Sequence, residues 1–259
     1  MPGTVGVGRE TLVYLNDAKA LLRRAEARYA AYEGTIGPRK SWRVQKDQDP
    51  TTGDWRYAIQ INAGVFEEAR FLVGEAASLL SASLDHLAAA IALANGIKRP
   101  RLYFPIGLTD EEFEKNLAAA SKELGPDMLD VLRQARIKHK INLPHLQALK
   151  QVANDGKHWK LRAVVMRGAG IAPIGANFEK QYFEVPADAF ANGERFEFHK
   201  GSELNDARGY EFLLGMTIEG LKEGAPDSVW GVFTCSSRFV QAMIDAVEEA
   251  AAGAVGTGV

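Results

Sequence analysis

The sequence predicts an α+β fold, and three observations carry that expectation. Apolar residues recur at helical spacing through long stretches between residues 9 and 154. Short aromatic and β-branched segments, separated by Gly, Asn and Asp, gather between residues 161 and 218. A last apolar helix closes the chain, so elements are grouped rather than alternating, which argues against a doubly wound sheet. The expected layout is a helical bundle region with an N-terminal β-hairpin, followed by an antiparallel sheet and a C-terminal helix. Residues 1–160 would form the mainly helical region, with the hairpin at about 41–62, and residues 161–259 the strands and final helix, packed as one domain.

Each element has a local reason. From Arg9 to Glu33, Leu12, Leu15, Leu21, Leu22, Ala25 and Tyr29 form an apolar stripe among charged residues, until Gly34, Gly37 and Pro38 interrupt it. Trp42, Val44 and Lys46 alternate with Arg43 and Gln45, and after Asp49-Pro50-Thr51-Thr52-Gly53-Asp54 the alternation resumes through Trp55, Tyr57, Ile59 and Ile61, which reads as a hairpin. Val65 to Ala94 consists almost wholly of good helix formers, apolar on most sides, and Asn95-Gly96 is a C-terminal stop: a central, buried helix. Thr109 and Glu112 make a capping box, and Pro126 opens another short helix. Pro144 to Asn154 places Leu146, Leu149 and Ala153 on one helix face, with Asp155-Gly156 as its end. Leu161–Met166, Gln181–Val185, Arg195–Lys200 and Tyr210–Ile218 are the expected strands, and Pro226 to Ala252 the closing helix.

Composition narrows the classes. The chain has 259 residues, 46% hydrophobic and 25% charged, as in an ordinary soluble globular protein with a sizeable core. Cys235 is the single cysteine, which excludes an intramolecular disulfide and suits a reducing cytoplasm. The N-terminus lacks the basic and apolar regions of a signal peptide. Stretches free of charge, such as Leu87–Ile97, run about eleven residues against the roughly twenty that span a bilayer, so no membrane partner is expected. There is no Gly-x-x-x-x-Gly-Lys-Ser/Thr, His-Glu-x-x-His, Gly-x-Ser-x-Gly or paired Cys-x-x-Cys. The glycine cluster Gly168 to Gly175 carries Pro173 where a dinucleotide fingerprint needs its third glycine, and reads as a connection.

The net charge of −2 conceals an asymmetry. Between Arg133 and Arg167 stand nine cations and one acid, a net +8, while the remaining 22 basic and 32 acidic residues make −10. Such a segment suits the phosphates of RNA or of a phosphorylated small molecule. The competing reading, which surface charge runs more often follow, is pairing with carboxylates elsewhere in the chain, such as Glu67-Glu68 or Glu248-Glu249.

On the central helix, Glu75, Ser78, Ala82 and Asp85 fall on one stripe, flanked by Ser81 and His86. Buried polar groups need partners, so this seam faces a polar surface or lines a cavity; Gln151, Asn154, Asp155 and His158 are a candidate partner face. Three readings of Asp85-His86 with Asp155 and His158 stay open. One is a satisfied structural histidine. A metal site is the second, opposed by adjacent helical residues pointing about 100° apart. The third is general acid/base chemistry at His86.

The hairpin, then Ser83-Leu84-Asp85-His86-Leu87, then Tyr103-Phe104-Pro105-Ile106, then Asn154-Asp155-Gly156-Lys157-His158 resembles an uncharacterised bacterial family over roughly residues 40 to 165. Its members read Leu-Asp-His, Phe-Pro-Ile and Asp-Lys-His-Arg at these places, and its helical Arg-x-x-x-x-His is similar to the signature of HEPN ribonuclease domains. The resemblance aligns His86 with the signature histidine. It implies a helical protein that dimerises and cuts RNA without metal or cofactor. Ser81 stands where the signature arginine would be, and Ser78-Leu79 where the family has His-Asn.

Two functions follow as expectations. The first is a HEPN-like homodimer that binds RNA or a phosphorylated small molecule with weak or degenerate ribonuclease chemistry. His86 would be its acid/base, with Asp85 orienting the ring and Lys157, His158, Lys160 and Arg162 contacting phosphate. The second is a non-catalytic interaction or assembly protein in which the polar seam is structural.

Overall fold

The chain runs α1 (Arg9–Thr35), β1 (Trp42–Gln48), β2 (Trp55–Ile61), α2 (Ala63–Ala94), α3 (Asp110–Ala119), α4 (Ser121–Leu124), α5 (Pro126–Lys138), a 3-10 turn (Lys140–Asn142) and α6 (Leu143–Asn154). It continues through β3 (Lys160–Gly168), β4 (Gly170–Ile174), β5 (Glu179–Phe183), β6 (Arg195–Gly201) and β7 (Phe212–Glu219) to α7 (Val229–Gly256). This is an α+β architecture, as the grouping of elements implied. In this computed structural model the described residues are 9–37, 40–97, 103–107, 109–154, 159–168, 170–174, 179–183, 189–190, 195–203 and 212–256.

Contacts divide the chain into two compact units, neither of them continuous in sequence. The first comprises Met1–Tyr29, Val73–Trp159 and Leu221–Val259, the second Ala30–Leu72 and Lys160–Gly220. The sequence reading describes two regions of one domain, 1–160 and 161–259. The hairpin groups with the later strands, and the C-terminal helix groups with the earlier helices. The reason is pairing: the outer edge of β2 takes β6 from 134 residues or more downstream, and no local signal announces so distant a partner.

In the first unit, α1 lies antiparallel to α2. Ser83, fully buried on α2, donates its hydroxyl to the Ala18 carbonyl of α1 at 2.8 Å. Arg28 of α1 pairs with Glu75 of α2 at 3.0 Å. Small buried residues, Ala18 and Ala25 on α1 and Ala76 and Ala77 on α2, let helices approach closely. Helix α1 also runs antiparallel to α7, where Tyr29 stacks on Phe233 at 4.6 Å between ring centroids and Lys19 pairs with Glu248. Helices α5 and α6 pack on α7, burying Leu132, Leu146, Leu149 and Val152 with Val240, Met243 and Ile244.

Termini follow the expected chemistry. The Thr109 side chain accepts the Glu112 N–H at 3.0 Å as the N-cap of α3, and Pro126 sits in the first turn of α5. Helix α2 stops at Asn95-Gly96 with Gly96 at φ +84°, and the Asn95 amide donates to the Leu124 carbonyl at 2.6 Å. By length and composition α2 could cross a bilayer, which charge-free stretches did not reveal; 61% of its most apolar 18-residue window is buried inside the protein, as in a core helix.

In the second unit, antiparallel sheets are ordered β1-β2-β6, β3-β7 and β4-β5. Trp42, Tyr57, Ile59 and Ile61 form a core with Ala163 and Phe190. The pairing of β1 with β2 sets Trp42 opposite Ile61 and Gln48 opposite Trp55. Strand β4 corrects the sequence reading of the glycine cluster. Gly170–Ile174 is a strand paired with β5, and Pro173 sits opposite Lys180 in a two-stranded sheet with no central position to disrupt.

Candidate functional site

The candidate site is built on the last third of α2. Asp85 and His86 are adjacent on the helix and therefore point in directions about 100° apart, and the structure gives them different partners. The Asp85 Oδ1 accepts the backbone N–H of Phe104 at 3.0 Å. Burial holds the Asp85 carboxyl above its ordinary range, opposed by the Phe104 N–H and by the positive fields of Lys150 and His86. Asp85 thus fastens the Tyr103-Phe104-Pro105-Ile106 segment to α2.

His86 turns to α1. Its Nδ1 lies 3.7 Å from an Asp17 carboxylate oxygen, and its ring centroid is 5.4 Å from that of Tyr14. The Nδ1 is shielded from solvent and has no hydrogen-bond partner, while the side chain as a whole is 37% exposed. Among the described residues its carboxylate neighbour is Asp17, not the expected Asp85. Sequence offered no signal for Asp17, which lies on the polar side of a helix 69 positions earlier.

The rest of the seam is not a buried network. Glu75 is taken by Arg28, and Ser78, exposed, donates to the Gly74 carbonyl one turn back at 2.9 Å. On the candidate partner face, Gln151 accepts the Lys222 backbone N–H at 3.1 Å and Asn154 is exposed. Asp155, Lys157 and His158 lie outside the described residues. No group of three His, Cys, Asp or Glu side chains arranged to hold a metal ion occurs among the described residues.

Four cations of the +8 segment have carboxylate partners among the described residues. Arg133 pairs with Glu114 at 2.9 Å and with Asp130 at 3.0 Å. Arg136 and Lys140 share Asp110, and Arg162 on β3 pairs with Glu219 on β7 at 3.1 Å. Lys160 is exposed. Lys160 and Arg162 belong to the second unit, whereas Asp85 and His86 belong to the first.

Arg136 is the member that sequence reasoning passed over. It is 5% exposed, donates to the Gly107 carbonyl at 2.7 Å and to Asp110 at 3.2 Å, and lies over the Phe113 ring at 4.5 Å. Its spacing of four from Leu132 put it on the apolar stripe of α5, a signal that was readable. A hollow of about 10 Å³, room for a single water, adjoins it between Phe104, Ile106, Leu143 and Phe239. Asp85 and Arg136 therefore grip the 103–110 segment from opposite ends. Comparison with protein-family models, with curated proteins and with solved structures finds no match for this chain.

Proposed function

We infer that this is a non-catalytic interaction or assembly protein in which Asp85 and His86 are structural. One observation carries the reading: the Asp85 carboxylate is engaged by the Phe104 N–H, and the carboxylate that does face His86, Asp17, stands 3.7 Å from Nδ1, outside hydrogen-bond distance, so neither orients the ring for proton transfer. The ion pairs that neutralise Arg133, Arg136, Lys140 and Arg162 support it, because a phosphate would have to displace a carboxylate at each. Ser81 in place of an arginine points the same way, since metal-free cleavage of RNA needs a cation at the developing phosphorane.

A second reading keeps His86 as an acid/base in an RNA-directed, HEPN-like protein, favoured by its partial exposure and by an Nδ1 without a hydrogen-bond partner. Incubating purified protein and a His86→Ala variant with total RNA separates the two. The structural reading expects no cleavage by either protein. Cleavage by the wild type that His86→Ala abolishes would establish the catalytic one.

A further inference from the structure

Helix α5 turns a stripe of mixed character to solvent. At about 100° per residue, Asp127, Asp130, Val131, Gln134, Ile137 and Lys138 fall on one face, opposite the buried Leu132 and Arg136. Val131 is half-buried and the other five are exposed. Exposed Lys140 and Ile141 follow in the 3-10 turn. Ile137 and Ile141 are 67% and 82% exposed, two large apolar side chains four positions apart where a solvated surface favours polar ones.

The charges along the stripe are segregated. Asp127 and Asp130 occupy its N-terminal half, Lys138 and Lys140 its C-terminal end. We propose that this stripe is a self-association face, on which the α5 of a second copy of this chain packs antiparallel across a two-fold axis near Gln134. The acidic half of each copy then lies against the basic end of the other. Ile137 and Ile141 leave water against the middle and acidic half of the partner's stripe, where Val131 supplies apolar surface.

Charge selects both the orientation and the occupant. A parallel pair would set aspartate on aspartate and lysine on lysine. RNA or an anionic lipid surface would meet Asp127 and Asp130 along with the lysines. The face calls for a partner carrying the reverse order of charge, and the same stripe turned end for end carries it. The ion pairs within the chain are compatible with this. Asp130 stays exposed while its Oδ1 accepts from Arg133 at 3.0 Å, and Lys140 stays exposed at 3.5 Å from Asp110. At 13 residues, about 20 Å, α5 makes a small interface, so the association is weak and reversible.

This proposal rests on the assembly reading and names its partner, but its test does not involve His86. A monomer would overturn the pairing without bearing on cleavage, and RNA cleavage would overturn the assembly reading without bearing on the pairing. Sedimentation velocity of the full chain over a wide concentration range should show reversible passage from one chain to two. Ile137→Glu should weaken self-association by about tenfold or more, because it buries a carboxylate on both sides of the axis. Ile141→Glu, outside the helix, gives the same readout should the first variant unfold α5. Lys138→Glu and Asp130→Lys should each weaken the dimer by setting like charges against each other in both halves. Mixing those two variants should restore it, because opposite charges then meet in both halves. A wild type that stays monomeric, a dimer that survives both glutamate variants at the isoleucines, or a mixture that fails to recover would each overturn the proposal.

Discussion

Asp85 accepts the backbone N–H of Phe104 at 3.0 Å, tying the last third of α2, the longest of the described helices, to a segment 19 residues further along the chain. The contact accounts for an acid in the apolar second half of that helix, and its energetics are testable. Asp85→Ala removes the acceptor and should cost about 1–2 kcal/mol by urea unfolding. Asp85→Asn keeps an acceptor oxygen and removes the charge. Burial raises the Asp85 carboxyl above the ordinary 3.8, so in that interval the folded state holds a proton that the unfolded state has released. The group's contribution to stability therefore falls as pH rises from 3.8 through the raised folded value, and is level above it. Wild type should lose stability relative to Asp85→Asn over that interval; a gap moving the other way rejects the assignment.

Arg136 anchors the other end of the same segment. Arg136→Met preserves volume but leaves the buried Gly107 carbonyl without its charged donor, and should cost about 2–3 kcal/mol by denaturant unfolding. Arg136→Lys should recover little of it, since an ammonium cannot reach Gly107 and Asp110 in a fork while lying on Phe113. The hydrogen bond from Arg136, with help from Lys140, holds the Asp110 carboxyl below its ordinary 3.8. That stabilisation is present above 3.8 and disappears as pH falls through the lowered folded value. The acid limb of the wild-type stability curve should accordingly be shallower in Arg136→Met.

Gly107 has no room for a side chain. A Cβ there would stand 2.3 Å from the Phe113 nitrogen and 2.6 Å from its Cα, both backbone atoms of α3. Gly107→Ala should destabilise by about 3 kcal/mol, read as a fall in Tm. Gly34→Ala, at the end of α1 with nothing within 4 Å, is the control and should be neutral or slightly stabilising.

Arg162 separates a structural cation from a ligand-binding one. Its pair with Glu219 is partly exposed, so Arg162→Ala should change stability by no more than about 1 kcal/mol. Filter binding with single-stranded RNA should be unchanged under the assembly reading. A clear loss of binding would assign Arg162 the phosphate contact that its sequence context suggested.

Much of the local structure was legible because its causes are local. The period of apolar residues gave α1, α2, α6 and α7, the Thr109 cap and Pro126 fixed two helix starts, and alternation around Asp49-Pro50 gave the β1-β2 hairpin. Strand β4 escaped because glycine and proline signal turns wherever they stand, and only pairing with β5 makes Gly170–Ile174 a strand.

The sequence by itself determined the fold class, the order of most elements and the presence of an acid and an imidazole side by side on an apolar helix. Tertiary structure decided what those groups meet: Phe104 for Asp85, Asp17 and Tyr14 for His86, and carboxylates for four cations of the +8 segment. It also decided that β6, from beyond residue 160, joins the N-terminal hairpin. The physical reason is common to all of these. Periodicity and capping act over a few residues and are written in neighbouring letters, whereas ion pairing, burial and strand addition depend on distances between residues that only the packed chain brings together.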